Sequence, residues 1–133
     1  MDEIYLPRKY FKRILQYVVD YLPEESCGLL AGNNNQVTMI IFVTNQLHSP
    51  VKYYMDPMEL YKALEAIDEK DLELVGIFHS HPKGPSRPSE TDIKEFLYPG
   101  TATLICFPDG NEWFIKAFMI ENNHYSEMDL RIV

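Results

Sequence analysis

The hydrophobic positions of this chain change period along its length, and each change predicts an element. Tyr10, Phe11, Ile14, Leu15, Val18, Val19 and Leu22 recur at spacings of three and four, which places one apolar stripe on a helix. Pro7 suits the first position of that helix, where its missing N–H costs nothing, and Pro23 ends it. Cys27 to Ala31 is a short apolar run closed by Gly32-Asn33-Asn34-Asn35, and Gln36 to Thr44 is rich in Val and Ile. Together they predict strand, turn and strand. Asp56-Pro57-Met58-Glu59 has the order of a helix start, with Asp as N-cap, Pro at N1 and Glu at N3. Leu60, Tyr61, Leu64 and Ile67 supply that helix's buried face.

Leu72 to Phe78 is apolar nearly throughout, as in a strand covered on both sides. His79 to Pro88 holds three prolines and a glycine and reads as a loop. Ser89 then precedes Ile93, Phe96 and Leu97 and starts a short helix. Ala102 to Phe107 is another apolar strand, followed by a turn at Pro108-Asp109-Gly110. Glu112 to Ile120 and His124 to Ile132 are two further strands joined at Glu121-Asn122-Asn123. The order is helix, strand, strand, helix, strand, helix, strand, strand, strand. It predicts the α/β class, as a three-layer α/β/α domain around one mixed β-sheet.

A length of 133 residues fits one domain over 1–133, large enough to bury a core without staples. With 46% hydrophobic residues, the chain has too many aliphatics and aromatics for disorder. The net charge of -8, with no cluster of Lys or Arg, argues against nucleic acid and membrane surfaces as partners. Cys27 and Cys106 both sit in apolar strand-like runs and are expected as packed thiols rather than a disulfide framework. Met1-Asp2-Glu3-Ile4-Tyr5 lacks the build of a signal peptide, and no apolar run approaches the ~20 residues of a membrane helix. The expectation is a cytoplasmic protein, its oligomeric state open, a homodimer included.

The chemistry concentrates in Phe78-His79-Ser80-His81-Pro82 and Pro88-Ser89-Glu90-Thr91-Asp92. His79 and His81 are two apart in extended chain, whose side-chain period of two lets both imidazoles point the same way. Asp92, in the first turn of the following helix, can reach back as a third ligand. Two imidazoles and a carboxylate suit zinc and leave one of its four positions open, which separates catalytic from structural sites. Alone, a His-x-His pair is most often two polar loop residues, and Pro-Ser-x-x-Asp is a generic capped helix start. Combined at this spacing, between a buried strand and a helix, coincidence is hard to sustain.

The constellation resembles the JAMM (MPN-plus) metallopeptidase family, whose motif is an upstream Glu, then His-x-His, seven residues, Ser, two residues, Asp. Here His81 is followed by seven residues, Pro82 to Pro88, then Ser89, two residues and Asp92. Glu25-Ser26-Cys27-Gly28-Leu29-Leu30 is similar to the family's first strand, Tyr54 to Leu60 to the start of its second helix, and Gly76-Ile77-Phe78 to the strand feeding the histidines. The resemblance implies the JAMM/MPN, cytidine-deaminase-like fold and one zinc ion per chain held by His79, His81 and Asp92. It makes Glu25 the general base and Ser89 the donor to the oxyanion. Glu24 stands beside Glu25, and the choice between them rests on the offset from Cys27. His48, His124, Trp113, the tyrosines and Ser80 receive no chemical role.

Family likeness also implies cleavage of peptide or isopeptide bonds after the C-terminal Gly-Gly of a ubiquitin-like protein. The chain resembles the family's short prokaryotic members, which act on ubiquitin-like modifiers or sulfur-carrier proteins. Two alternatives stand beside this reading. One is an MPN-type interaction scaffold with a non-catalytic metal site, disfavoured because the full ligand set is present. The other is deamination, disfavoured because zinc deaminases use Pro-Cys-x-x-Cys and this chain has no Cys-x-x-Cys.

Overall fold

The computed structural model describes residues 3–133. In chain order its elements are β1 (Glu3–Leu6), α1 (Arg8–Asp20), β2 (Cys27–Asn33), β3 (Gln36–Val43), α2 (Pro57–Glu69), β4 (Glu73–Ser80), α3 (Glu90–Lys94), β5 (Ala102–Asp109), β6 (Glu112–Glu121) and β7 (His124–Ile132). The strands stand in the order β1-β3-β2-β4-β5-β6-β7 and close into a barrel. Pairing is antiparallel except at β4–β5, β1–β7 and β1–β3.

Closure corrects the expected three-layer sandwich around an open sheet. The cause is β1, whose four residues Glu-Ile-Tyr-Leu carry too short an alternation to stand out in the sequence. Ile4 and Leu6 are fully buried, while Glu3 and Tyr5 are half-buried. β1 runs parallel to β7 from Glu3↔Asp129 to Leu6↔Ile132 and meets β3 at the single pair Tyr5↔Gln36. It thereby ties the last strand back to the third.

Apolar residues pack on both faces of the sheet, as its two-sided hydrophobic runs require. Ile14 and Val18 of α1 join Ile4, Leu30, Phe78 and Leu104 in one core. Ala63 and Ile67 of α2 join Cys27, Leu29 and Ile77 in the other. α1 and α2 thus pack into two different cores of the closed sheet. α1 begins at Arg8 with Pro7 at its N-cap, one position later than expected, because the Pro7 carbonyl accepts from Tyr10 and Phe11. α2 starts as expected, with the Asp56 side chain accepting from the Met58 and Glu59 backbone N–H. Asn34-Asn35 and Asn122-Asn123 adopt positive φ at both positions of two-residue hairpins, a conformation Asn tolerates well.

Gly28 is forced by a close approach. A Cβ there would collide with the Phe78 ring and lie 2.6 Å from the Ile41 carbonyl oxygen. The backbone atom cannot move aside without distorting β3. Gly28→Ala is therefore expected to cost about 3 kcal/mol, read by urea unfolding. Less than about 1 kcal/mol would mean that β2 can shift.

Candidate metal centre

β4 does not stop at Phe78 but runs through His79 and Ser80, in place of the expected loop. The reason lies in the neighbouring strands. Ser80 N–H donates to the Ser26 carbonyl at 2.9 Å and His81 N–H to the Cys106 carbonyl at 2.8 Å. His79 pairs with Cys27 on β2 and Ile105 on β5, so it stands on an interior strand. Both histidines are buried, His79 completely. Ser80 serves the structure here, because its Oγ accepts from Ser26 N–H at 2.7 Å, next to Glu25.

His79, His81 and Asp92 converge. The two Nε2 atoms are 3.1 Å apart, and Asp92 Oδ2 lies 3.0 Å from His79 Nε2 and 3.1 Å from His81 Nε2. Donors around a tetrahedral zinc at about 2.0–2.1 Å stand roughly 3.3 Å from one another, so this triangle has the size of one face of such a site. The donor set fits a metal for a further reason. Two imidazole nitrogens aimed at one oxygen and at each other cannot both present N–H without two protons confronting. A shared cation accommodates two lone pairs at that spacing. His81 Nδ1 donates to the Pro85 carbonyl at 2.8 Å. A carbonyl only accepts, so Nδ1 carries a proton, and Nε2 is the nitrogen left to face a metal.

Asp92 is held in place by α3, whose N-cap is Ser89. Asp92 N–H donates to Ser89 Oγ at 3.0 Å, and Ser89 N–H donates to Asp92 Oδ2 at 2.9 Å, a reciprocal capping box. Five residues of helix are thus enough to aim one carboxylate. α3 ends at Lys94, so of the apolar residues that follow Ser89 only Ile93 lies in it, and Phe96 and Leu97 fall beyond it.

Glu25 precedes β2 and is buried, only 5% exposed. One of its carboxylate oxygens and one ring nitrogen of each histidine lie within 4.8 Å of one another. That set offers Glu25 as a rival third ligand, but Asp92 approaches the ring nitrogens more closely. Glu24 faces away and meets His48 Nδ1 at 3.0 Å on the surface. Of the two adjacent acids, Glu25 alone belongs to the cluster.

Burial raises the Glu25 carboxyl to about 8; His81 nearby opposes the shift and Asp92 adds to it. Burial would also raise Asp92, but the hydrogen bonds from His79 and His81 outweigh it and hold the carboxyl well below its usual range. Burial lowers His79 despite its bond to Asp92. For His81 burial acts the same way, but Asp92 and the Pro85 carbonyl carry the net shift upward. Cys27, with Sγ 3.3 Å from the Val43 carbonyl, is pushed by burial to about 12 and is no nucleophile.

Two side chains near the site carried no signal in the sequence. Buried Asn45 donates to the Glu25 carbonyl at 3.0 Å, and the Tyr53 ring stacks on His79 with centroids 4.6 Å apart. His79, Asp92 and Ser89 open into a cleft of about 780 Å³ whose walls include Leu47, Val51, Leu60, Tyr61, Phe96 and Leu97.

The profile of the family described as prokaryotic homologs of the JAB domain matches residues 7–121. The chain belongs to the prokaryotic JAB family. Among curated relatives of this JAB-family chain, a desampylase of Pyrococcus furiosus is 44% identical over 126 residues, 94% of this chain and 87% of the relative. A probable TtuB-protein conjugate cleaving protease of Thermus thermophilus is 41% identical over 118 residues, 82% and 79% of the two chains. The crystal structure of a JAB1/MPN domain protein from Archaeoglobus fulgidus superposes with a TM-score of 0.64 at 24% identity, covering 98% of each chain, which shows the fold. No helix among the described residues is long and apolar enough to cross a membrane.

Proposed function

We propose that this JAB-family protein is a zinc-dependent peptidase or isopeptidase that cleaves after the C-terminal Gly-Gly of a ubiquitin-like or sulfur-carrier protein. One observation carries the reading: two Nε2 atoms and one carboxylate oxygen within 3.1 Å of each other, with a second, buried carboxyl beside them. The names of the relatives, a desampylase and a TtuB-conjugate protease, support the substrate class.

His79 Nε2, His81 Nε2 and Asp92 Oδ2 would hold the ion. When bound, zinc polarises a carbonyl and lowers the pKa of water to about 7, which makes a nucleophile available at neutral pH. Glu25 takes up the proton released from the attacking water and passes it to the leaving amine. Its buried carboxyl is poised for this, because desolvation moves it toward the working pH. Ser89 Oγ accepts from Asp92 N–H, so its own hydroxyl proton is free to stabilise the oxyanion. The cleft gives an extended chain terminus an apolar bed next to these groups.

The test is intact-mass analysis of the protein mixed with ubiquitin-like and sulfur-carrier proteins extended past Gly-Gly, with and without a zinc chelator. Release of the extension at Gly-Gly, abolished by chelator and restored by zinc, is expected. Chelator-insensitive release, or cutting that ignores Gly-Gly, would sink the proposal.

A further inference from the structure

We infer that Tyr53 is a positioning residue: its ring, stacked on His79, holds that imidazole in line for the metal where no hydrogen bond does so. The inference rests on the zinc reading above and concerns how one ligand is aimed.

A ligating imidazole is ordinarily oriented from behind, its second ring nitrogen donating to a carbonyl or carboxylate. His81 follows that rule through Nδ1 and the Pro85 carbonyl. His79 does not. Its Nδ1 is buried and has no hydrogen-bond partner among the described residues. With Nε2 engaged and Nδ1 free, no polar contact at the back of the ring fixes its rotation about the Cβ–Cγ bond. Packing must supply the constraint.

The Tyr53 ring supplies it. It lies 4.6 Å from the His79 ring, centroid to centroid, at 25°, covering one face, while His81 meets His79 edge-on at 4.9 Å and 62°. A stacked neighbour resists rotation, because turning the imidazole drives its edge into the phenol.

The stack is anchored. Asn45 Nδ2 donates to the Lys52 carbonyl at 3.0 Å, and Asn45 Oδ1 accepts from Tyr54 N–H at 3.1 Å, so one buried amide grips the chain on both sides of Tyr53. Gln46 N–H adds a bond to the Tyr54 carbonyl at 2.8 Å. Asn45 Nδ2 also reaches the Glu25 carbonyl. The same side chain therefore sets both the segment carrying the stacking ring and the backbone carrying the acid.

The experiment titrates zinc into metal-free wild type, Tyr53→Phe and Tyr53→Leu against a chromophoric chelator, with cobalt absorption as a second readout of ligand geometry and thermal melting as a control. Tyr53→Leu should weaken zinc about 10- to 100-fold and alter the cobalt spectrum. Tyr53→Phe, which keeps the ring, should stay within about threefold of wild type with an unchanged spectrum. If Tyr53→Leu does not fold, Tyr53→Met takes its place. Wild-type affinity in the ringless variants overturns the inference, even if they melt earlier, because the residue would then be structural only. Loss in Tyr53→Phe equal to that in Tyr53→Leu also overturns it, since the hydroxyl would be responsible. Wild type that takes up no zinc removes the metal reading and the stacking role together. Wild type that binds zinc but cleaves nothing counts against the peptidase alone.

Discussion

Replacing Glu25 by Gln should leave the metal in place and lower kcat for Gly-Gly cleavage by about 10²- to 10⁴-fold. The substitution is nearly isosteric and removes only the ability to accept a proton. If Glu25 were instead the third metal ligand, as its position within 4.8 Å of both ring nitrogens permits, zinc would be lost along with turnover. A second measurement on metal-free protein separates the roles further. Burial raises the folded-state carboxyl to about 8 from an ordinary 4.5. Between those values the folded chain binds a proton that the unfolded chain has given up, so Glu25 lowers stability progressively as pH rises through that window. Glutamine has no such proton. Metal-free Glu25→Gln should therefore match wild type below about pH 4.5 and be more stable at pH 8.5, by something on the order of 3 kcal/mol. Chemical unfolding in chelator at the two pH values reads the difference. Equal stability at pH 8.5 would mean that the folded state solvates the carboxylate; full activity would mean that another group takes the proton.

The site is more legible in the sequence than the barrel around it, for physical reasons. His79, His81, Ser89 and Asp92 sit within fourteen residues, so their spacing alone constrains how they meet. Strand period brings the two imidazoles to one side, and a helix start turns the carboxylate back toward them. Glu25 is 54 residues upstream of His79, and only the pairing of β2 with β4, Cys27 against His79, brings the two together. That pairing is tertiary, which is why the choice of Glu25 over Glu24 leans on family likeness until the fold turns Glu24 toward His48. Tyr53 and Asn45 are invisible for the same reason: a tyrosine in a polar loop and an asparagine after a strand are ordinary until the fold seats one on His79 and the other under Glu25. The closed sheet escapes the sequence because it depends on β1, four residues whose alternation is shorter than any pattern that separates strand from chance. The end of β4 lies further on than expected because His-Ser-His-Pro reads as polar loop, while the bonds that extend the strand through Ser80 and fix His81 come from Ser26, just ahead of β2, and from β5.

Asp92→Ala should act in the opposite direction on the metal-free protein and remove the metal altogether. Asp92 Oδ2 gathers three partners: the Nε2 atoms of His79 and His81 and the N–H of Ser89. If Asp92 is a ligand rather than a support, as proposed, zinc affinity should fall by more than the about 10- to 100-fold typical of outer-shell changes, and cleavage should drop to background. It also strands two buried imidazoles and opens the capping box of α3. Each unsatisfied buried group costs about 1–3 kcal/mol, so metal-free Asp92→Ala should unfold several kcal/mol more easily than wild type at pH 7. The sign follows from the carboxyl being held far below its usual value of 3.8 by its neighbours. Its contribution is fully present above about pH 3.8 and fades only as pH falls through the depressed folded value. Two carboxylates within one cluster are thus expected to move metal-free stability in opposite directions at pH 8.5. Glu25, uncharged by preference, gains when made neutral; Asp92, charged and bonded, loses when removed. If both substitutions shift stability the same way while both keep zinc, the division into proton carrier and ligand is wrong. If Glu25→Gln loses zinc and Asp92→Ala keeps it, the two acids have exchanged roles.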